Sequence, residues 1–132
     1  MILVDTNVLL DVVTADQAWE AWSQHQLDAA ALRDELGVPP IVYAELSIAF
    51  EKIDELDRVL NDVAVIVVEA PRAALFLAGK AFQQYRKRGG TRTSLFPDFL
   101  VGAHAAVTGS ALLTRDGARY RTYFPGLTLI AP

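Results

Sequence analysis

The sequence predicts an α/β fold, one domain over residues 1–132 around a mainly parallel central sheet. Three observations predict it. Short apolar runs rich in β-branched residues alternate with longer stretches of helical periodicity, the pattern of strand–helix–strand units. Glycine and proline stand at the seams between them. The chain has 132 residues, 52% of them hydrophobic, and no cysteine. It can therefore bury a single core, and it does so without disulfide or zinc–thiolate staples.

Taken in order, Ile2, Leu3 and Val4 form a first buried strand. Asp5 ends it, and Thr6 or Asn7 is placed to cap the helix that follows. A longer helix is expected from Asp16 to about Leu36, with Trp19 and Trp22 three apart, stopped by Gly37 and by Pro39 and Pro40. Helices are expected over residues 40–50 and 52–62. Residues 63–68 are all β-branched except Ala64 and read as the clearest strand. Pro71 opens a helix carrying Leu75, Ala78, Phe82 and Tyr85 at helical spacing, ended by Gly89 and Gly90. Pro97 opens an apolar helix to about Thr108, closed by Gly109. Residues 111–114 and 127–130 supply the last two strands.

Sixteen acidic against twelve basic residues give a net charge of −4, which argues against indiscriminate nucleic-acid binding. The charge is unevenly divided. Residues 1–66 hold three basic and thirteen acidic groups, and residues 67–132 hold nine basic and three acidic ones. Arg86, Lys87, Arg88 and Arg92 form one basic stretch, and Arg115, Arg119 and Arg121 another. These suit contact with a polyanion; they equally suit a solvated surface. No apolar run reaches the ~18–20 residues of a membrane span. The start lacks the basic lead-in of a signal peptide, so a cytoplasmic protein is expected. His25 reads as a surface residue and His104 as a satisfied core histidine.

Four acids stand out from the solvated ones. Asp5 and Asp116 follow predicted strands, where ligands bind in open parallel sheets. Glu45 has Ile41, Val42, Ile48 and Ala49 as its helical neighbours, which puts a carboxylate in an apolar stripe. Asp98 opens a helix that is apolar nearly all round. Each also has an ordinary explanation: a helix cap, a salt bridge, a first-turn acid, a turn acid. Converging on one crevice, however, two carboxylates 4 Å apart repel by about 4 kcal/mol at an effective dielectric near 20. A divalent cation resolves that conflict, and oxygen ligands select magnesium or manganese. Such a site supports phosphodiester hydrolysis.

At these residues the sequence resembles the PIN domains, and among them the VapC-type toxin ribonucleases of toxin–antitoxin pairs. Residues 4–11, 40–46, 97–105, 112–116 and 120–125 carry the resemblance, in family order. It implies a three-layer α/β/α sandwich and an acidic site of Asp5, Glu45, Asp98 and Asp116 holding Mg²⁺ or Mn²⁺. Asp5 and Asp98 would be the principal ligands, with Thr6, Asn7 and Thr114 orienting carboxylates or water. It implies an endoribonuclease using metal-activated water, held inactive by a VapB-type antitoxin and dimeric with itself; the lack of an apolar span gives no membrane partner. Charge alone assigns Arg86, Lys87, Arg88, Arg92 and Arg115 to RNA phosphates. The alternatives are a PIN-type RNA-maturation nuclease without an antitoxin and a PIN-like module that binds RNA or protein without cutting. Dehalogenase-type phosphotransferases and receiver domains also carry a strand-end aspartate. Both need a late lysine, and the last lysine here is Lys87.

Overall fold

The computed structural model describes residues 1–132. Its centre is the apolar run that opens the chain. Strand β1 (Ile2–Val4) is buried throughout and is flanked on both sides by parallel neighbours. The other strands are β2 (Leu36–Val38), β3 (Val65–Val67), β4 (Ala111–Leu113) and β5 (Leu129–Ile130). The spatial order is β3-β2-β1-β4-β5, and every pairing is parallel. Leu3 lies opposite Gly37 on one side and Leu112 on the other.

Seven helices connect the strands: α1 (Thr6–Val13), α2 (Glu20–Ala31), α3 (Pro40–Ser47), α4 (Ile53–Asp62), α5 (Arg72–Lys87), α6 (Phe96–Thr108) and α7 (Gly117–Tyr123). The chain moves outward from β1 through β2 to β3, then returns past β1 to β4 and β5. Right-handed crossovers running in opposite directions put helices on both faces of the sheet. This yields the expected three layers. It also makes the loops after β1 and β4 diverge, opening a crevice beyond the C-terminal ends of those two strands.

The element boundaries follow local chemistry. Asp5, not Thr6 or Asn7, caps α1: its side chain accepts from the Thr6 N–H at 2.8 Å. The long helix expected from Asp16 to Leu36 is instead shorter. Asp16 accepts from the N–H groups of Ala18 and Trp19, α2 begins at Glu20, and Leu36–Val38 is a strand between β1 and β3. Three residues are too few to show a period, and Gly37 reads as a helix stop. In the structure it lies within β2, where a Cβ would press on the mobile end of Met1 and on Val68. The strand expected over residues 63–68 shrinks to Val65–Val67, because Val63 caps α4 and Ala64 turns at φ +56°. The last strand forms only at Leu129–Ile130.

The core joins both faces. Leu3, Leu112 and Leu113 of the sheet, Val8 and Leu9 of α1, and Phe99 and Tyr120 belong to one buried cluster. An aromatic group ties α5, α6 and α7 together, with Phe99 4.7 Å from Tyr123 and 5.5 Å from Phe82 between ring centroids. In mid-helix α6, a Cβ on Gly102 would come within 2.4 Å of the Phe124 ring. Alanine would add helix propensity worth up to about 1 kcal/mol. The clash outweighs that gain, and Gly102→Ala is expected to lower unfolding free energy by about 1–2 kcal/mol in urea denaturation.

Candidate active site

The crevice is built around Asp5. Because β1 is central, the residue that ends it is 5% exposed. Its carboxylate accepts from the Thr6 N–H at 2.8 Å, the Thr114 hydroxyl at 2.8 Å, the Tyr120 hydroxyl at 3.0 Å and, more weakly, Asn7 Nδ2 at 3.4 Å. No cation touches it. Burial, reinforced by the charge of Asp98, pushes its pKa up to about 6, against the opposing effect of the hydrogen bonds. Tyr120 is pushed well above its ordinary value, by burial first and then by Asp5 and Asp98. It therefore remains a proton donor.

The expected second-tier residues lie in this network. Thr114 donates to Asp5 and accepts from the Asp116 N–H at 3.0 Å, so one hydroxyl fixes both the Asp5 carboxylate and the start of the Asp116 turn. Asn7 Oδ1 accepts from the Arg115 N–H. The Thr6 hydroxyl donates to Glu45 Oε1 at 2.7 Å, tying Glu45 to the residue next to Asp5. Glu45 is not in an apolar stripe. It is only partly buried, and Ile48, expected beside it in the core, is 87% exposed. The helix α3 is short and packs through Val42 and Leu46, a pattern that shifts the apolar face by one position.

Asp98 and Asp116 meet through a residue that motif reasoning missed. Arg119 spans them, with Nη1 on Asp98 Oδ2 and Nη2 3.1 Å from Asp116 Oδ2. Its spacing of three from Asp116 on α7 is the signal that was available. Burial and the charge of Asp116 still raise the Asp98 pKa, against the opposing effect of Arg119 and Arg92. Thr6 thus ties Asp5 to Glu45 and Arg119 ties Asp98 to Asp116, with Thr114 joining the two pairs through Asp5 and the Asp116 N–H. No three His, Asp or Glu side chains are spaced to ligate one ion in this conformation.

The basic residues divide sharply. Arg86, Lys87, Arg88 and Arg92 are exposed. Arg86 and Lys87 end α5, and the loop after them is clamped on Tyr85, whose hydroxyl accepts from the Arg92 N–H and whose carbonyl accepts from the Gly90 N–H. Arg115 points inward instead. Its Nε lies 2.8 Å from Oδ2 of the buried Asp11, an ion pair rather than an aligned hydrogen bond. Ser23 donates to the same oxygen at 2.6 Å, and the guanidinium lies 5.2 Å from the Trp19 ring centroid. That placement gives Arg115 a structural task in place of the phosphate contact expected from charge. His25 is exposed and His104 is in the core, but His104 Nδ1 has no partner, and burial lowers its pKa.

The chemistry of the donors, though not their present spacing, fits a hard divalent cation. All the donors are oxygens, and Asp5 is a desolvated carboxylate lacking a counter-charge. The PIN domain family pattern matches residues 2–125. The chain belongs to the PIN-domain family. PIN domains are nucleases, which places this one among the hydrolases acting on nucleic acid, and they generally use divalent metals. Solved structures share the PIN fold at low identity. VapBC2 from Rickettsia felis, bound to a DNA fragment from its promoter, aligns with TM-score 0.74 at 18% identity over 99% of this chain and 98% of that one. VapBC-1 from nontypeable Haemophilus influenzae aligns with 0.71 at 18% over 99% and 98%. FitAcB from Neisseria gonorrhoeae aligns with 0.68 at 15% over 98% and 96%. No curated protein sequence matches significantly.

Two outcomes follow for this PIN domain. Folded Asp5 holds its proton to about pH 6 but releases it near 3.8 when unfolded. The fold binds more protons in that window, so this contribution to stability is full below the window and lost as pH rises through it. Relative to Asp5→Asn in EDTA, the wild type is expected to lose up to about 3 kcal/mol between pH 4 and pH 7. Parallel pH profiles in urea denaturation would refute the burial penalty on the Asp5 charge. Separately, Arg115→Gln leaves Asp11 buried without its cation and is expected to cost about 2 kcal/mol. Arg88→Ala should stay within about 0.5 kcal/mol of wild type.

Proposed function

We propose that this PIN domain is the toxin of a toxin–antitoxin pair, a cytoplasmic Mg²⁺- or Mn²⁺-dependent endoribonuclease neutralised by a VapB-type antitoxin. The observation that carries the reading is the group of carboxylates at the divergence of β1 and β4, one of them desolvated and without a counter-charge. The likeness to the VapBC and FitAcB structures supports the antitoxin partner.

In this reading Asp5 and Asp98 are the principal metal ligands, with Glu45 and Asp116 completing the shell directly or through water. A bound cation would lower the pKa of a water and offset charge developing on the phosphate oxygens. The protein's own groups supply the geometry. Thr114, Tyr120 and the Thr6 N–H hold the Asp5 carboxylate in one orientation, and the Thr6 hydroxyl does the same for Glu45. Arg86 and Lys87 at the end of α5, with Arg88 and Arg92 on the clamped loop, receive RNA phosphates.

Apolar surface is available for the antitoxin. Ile48 and Ile53 stand exposed beside a cleft of about 270 Å³ between α3 and α4, lined by Tyr43, Phe50 and Leu56. Phe76, 69% exposed on α5, belongs to a separate face suited to a second copy of the chain.

The test is incubation of total cellular RNA with antitoxin-free protein, in Mg²⁺ or Mn²⁺ and then in EDTA, beside Asp98→Asn. Discrete fragments are expected, bearing 5′-phosphate and 3′-hydroxyl ends and abolished both by EDTA and by the substitution. A 2′,3′-cyclic phosphate would exclude attack by water. Intact RNA from folded protein loaded with Mn²⁺ would favour a module that binds without cutting. Arg88→Ala with Arg92→Ala is expected to raise KM about tenfold and to flatten the salt dependence of cleavage.

A further inference from the structure

Arg119 is not an acid and has no place among cation ligands, yet its guanidinium stands between two of them. One nitrogen takes Asp98 Oδ2 and another takes Asp116 Oδ2. A planar guanidinium forks two carboxylates in this way better than any other side chain. It stays charged at every working pH, so it leaves only by moving.

Its surroundings allow both states. The next residue, Tyr120, is anchored on Asp5 through its hydroxyl, which fixes the stretch of α7 that carries Arg119. The Arg119 side chain is 32% exposed. It can therefore swing toward solvent without repacking the core, and Ala118 and Thr122, its exposed neighbours on the helix, leave it room.

We propose that Arg119 is an internal competitor for the divalent cation, holding Asp98 and Asp116 until a metal ion displaces it. This rests on the metal-site reading above. The same Asp98 oxygen cannot serve the guanidinium and a metal ion at full strength together. The metal-free site is thus partly neutralised from within the chain, and the free metal concentration at which it loads is set by the strength of the Arg119 fork as well as by the ligands.

The experiment is titration of metal-free protein with MnCl₂, followed by the loss of the free Mn²⁺ electron-paramagnetic-resonance signal, for wild type, Arg119→Gln and Arg119→Lys. Thermal unfolding in EDTA establishes that each is folded. Mn²⁺ is expected to bind Arg119→Gln roughly five- to tenfold more tightly than wild type, the scale of a partly exposed bridging ion pair. The lysine variant is decisive because it keeps the charge but cannot fork. Competition predicts that it retains most of the gain, whereas a distant electrostatic effect predicts wild-type affinity. In EDTA, Arg119→Gln should unfold at a lower temperature than wild type, and saturating Mn²⁺ should close the gap. Wild-type affinity in either variant overturns the competition while leaving the metal site intact. Failure of all three folded proteins to bind Mn²⁺ in the millimolar range overturns the metal site and the competition with it.

Discussion

Keeping one carboxylate in the wrong solvent is the constraint on which the mouth of the sheet depends. Asp5 ends the central strand, and the topology that makes β1 central also takes its last residue out of water. Desolvating a carboxylate costs several kcal/mol unless hydrogen bonds and charge offset it. The chain answers with donors from three places: the first turn of α1, the end of β4 and α7. Those donors orient Asp5 as well as stabilise it. Because Thr114 also receives the Asp116 N–H, a displacement at either aspartate is felt at the other.

Two arginines four positions apart show how differently the basic half of the chain uses its charge. Arg115 is turned into the α1–α2 layer, where Asp11, Ser23 and the Trp19 ring receive it. Through its own N–H on Asn7 it also holds the loop after β4 against α1. Arg119 faces the crevice and answers acids that are half open to solvent. The apparent basic patch of residues 115–121 is thus largely spent on internal neutralisation. The stretch around Arg86–Arg92 is a positive surface left open to solvent, as is Arg121, and its loop is held on a Tyr85 clamp.

Much of the architecture was legible because it rests on local signals. Pro40, Gly109 and the strand at the N-terminus mark their elements by chemistry that acts within a few residues. Leu36–Val38 was illegible because a three-residue strand has no period, and its identity depends on what pairs with it on both sides. Glu45 illustrates the opposite failure. Its apolar neighbours were real, but the short α3 buries only part of its circumference, and Ile48 faces solvent. The positions of the four acids could be inferred from strand ends and motif order. Their division into two pairs could not, because it depends on Thr6 and Arg119, whose partners are fixed by the fold.

The hydrogen bonds that hold Asp5 run from its near neighbours to Thr114 and Tyr120, 109 and 115 positions further along. Chains are made from the N-terminus, so Asp5 leaves the ribosome long before its partners exist. A nascent chain stopped anywhere before β4 carries the first aspartate but neither the Thr114 hydroxyl that orients it nor the second strand end that faces it. Assembly of the crevice is therefore a late event of synthesis, completed only when the Tyr120 hydroxyl joins that of Thr114 on Asp5.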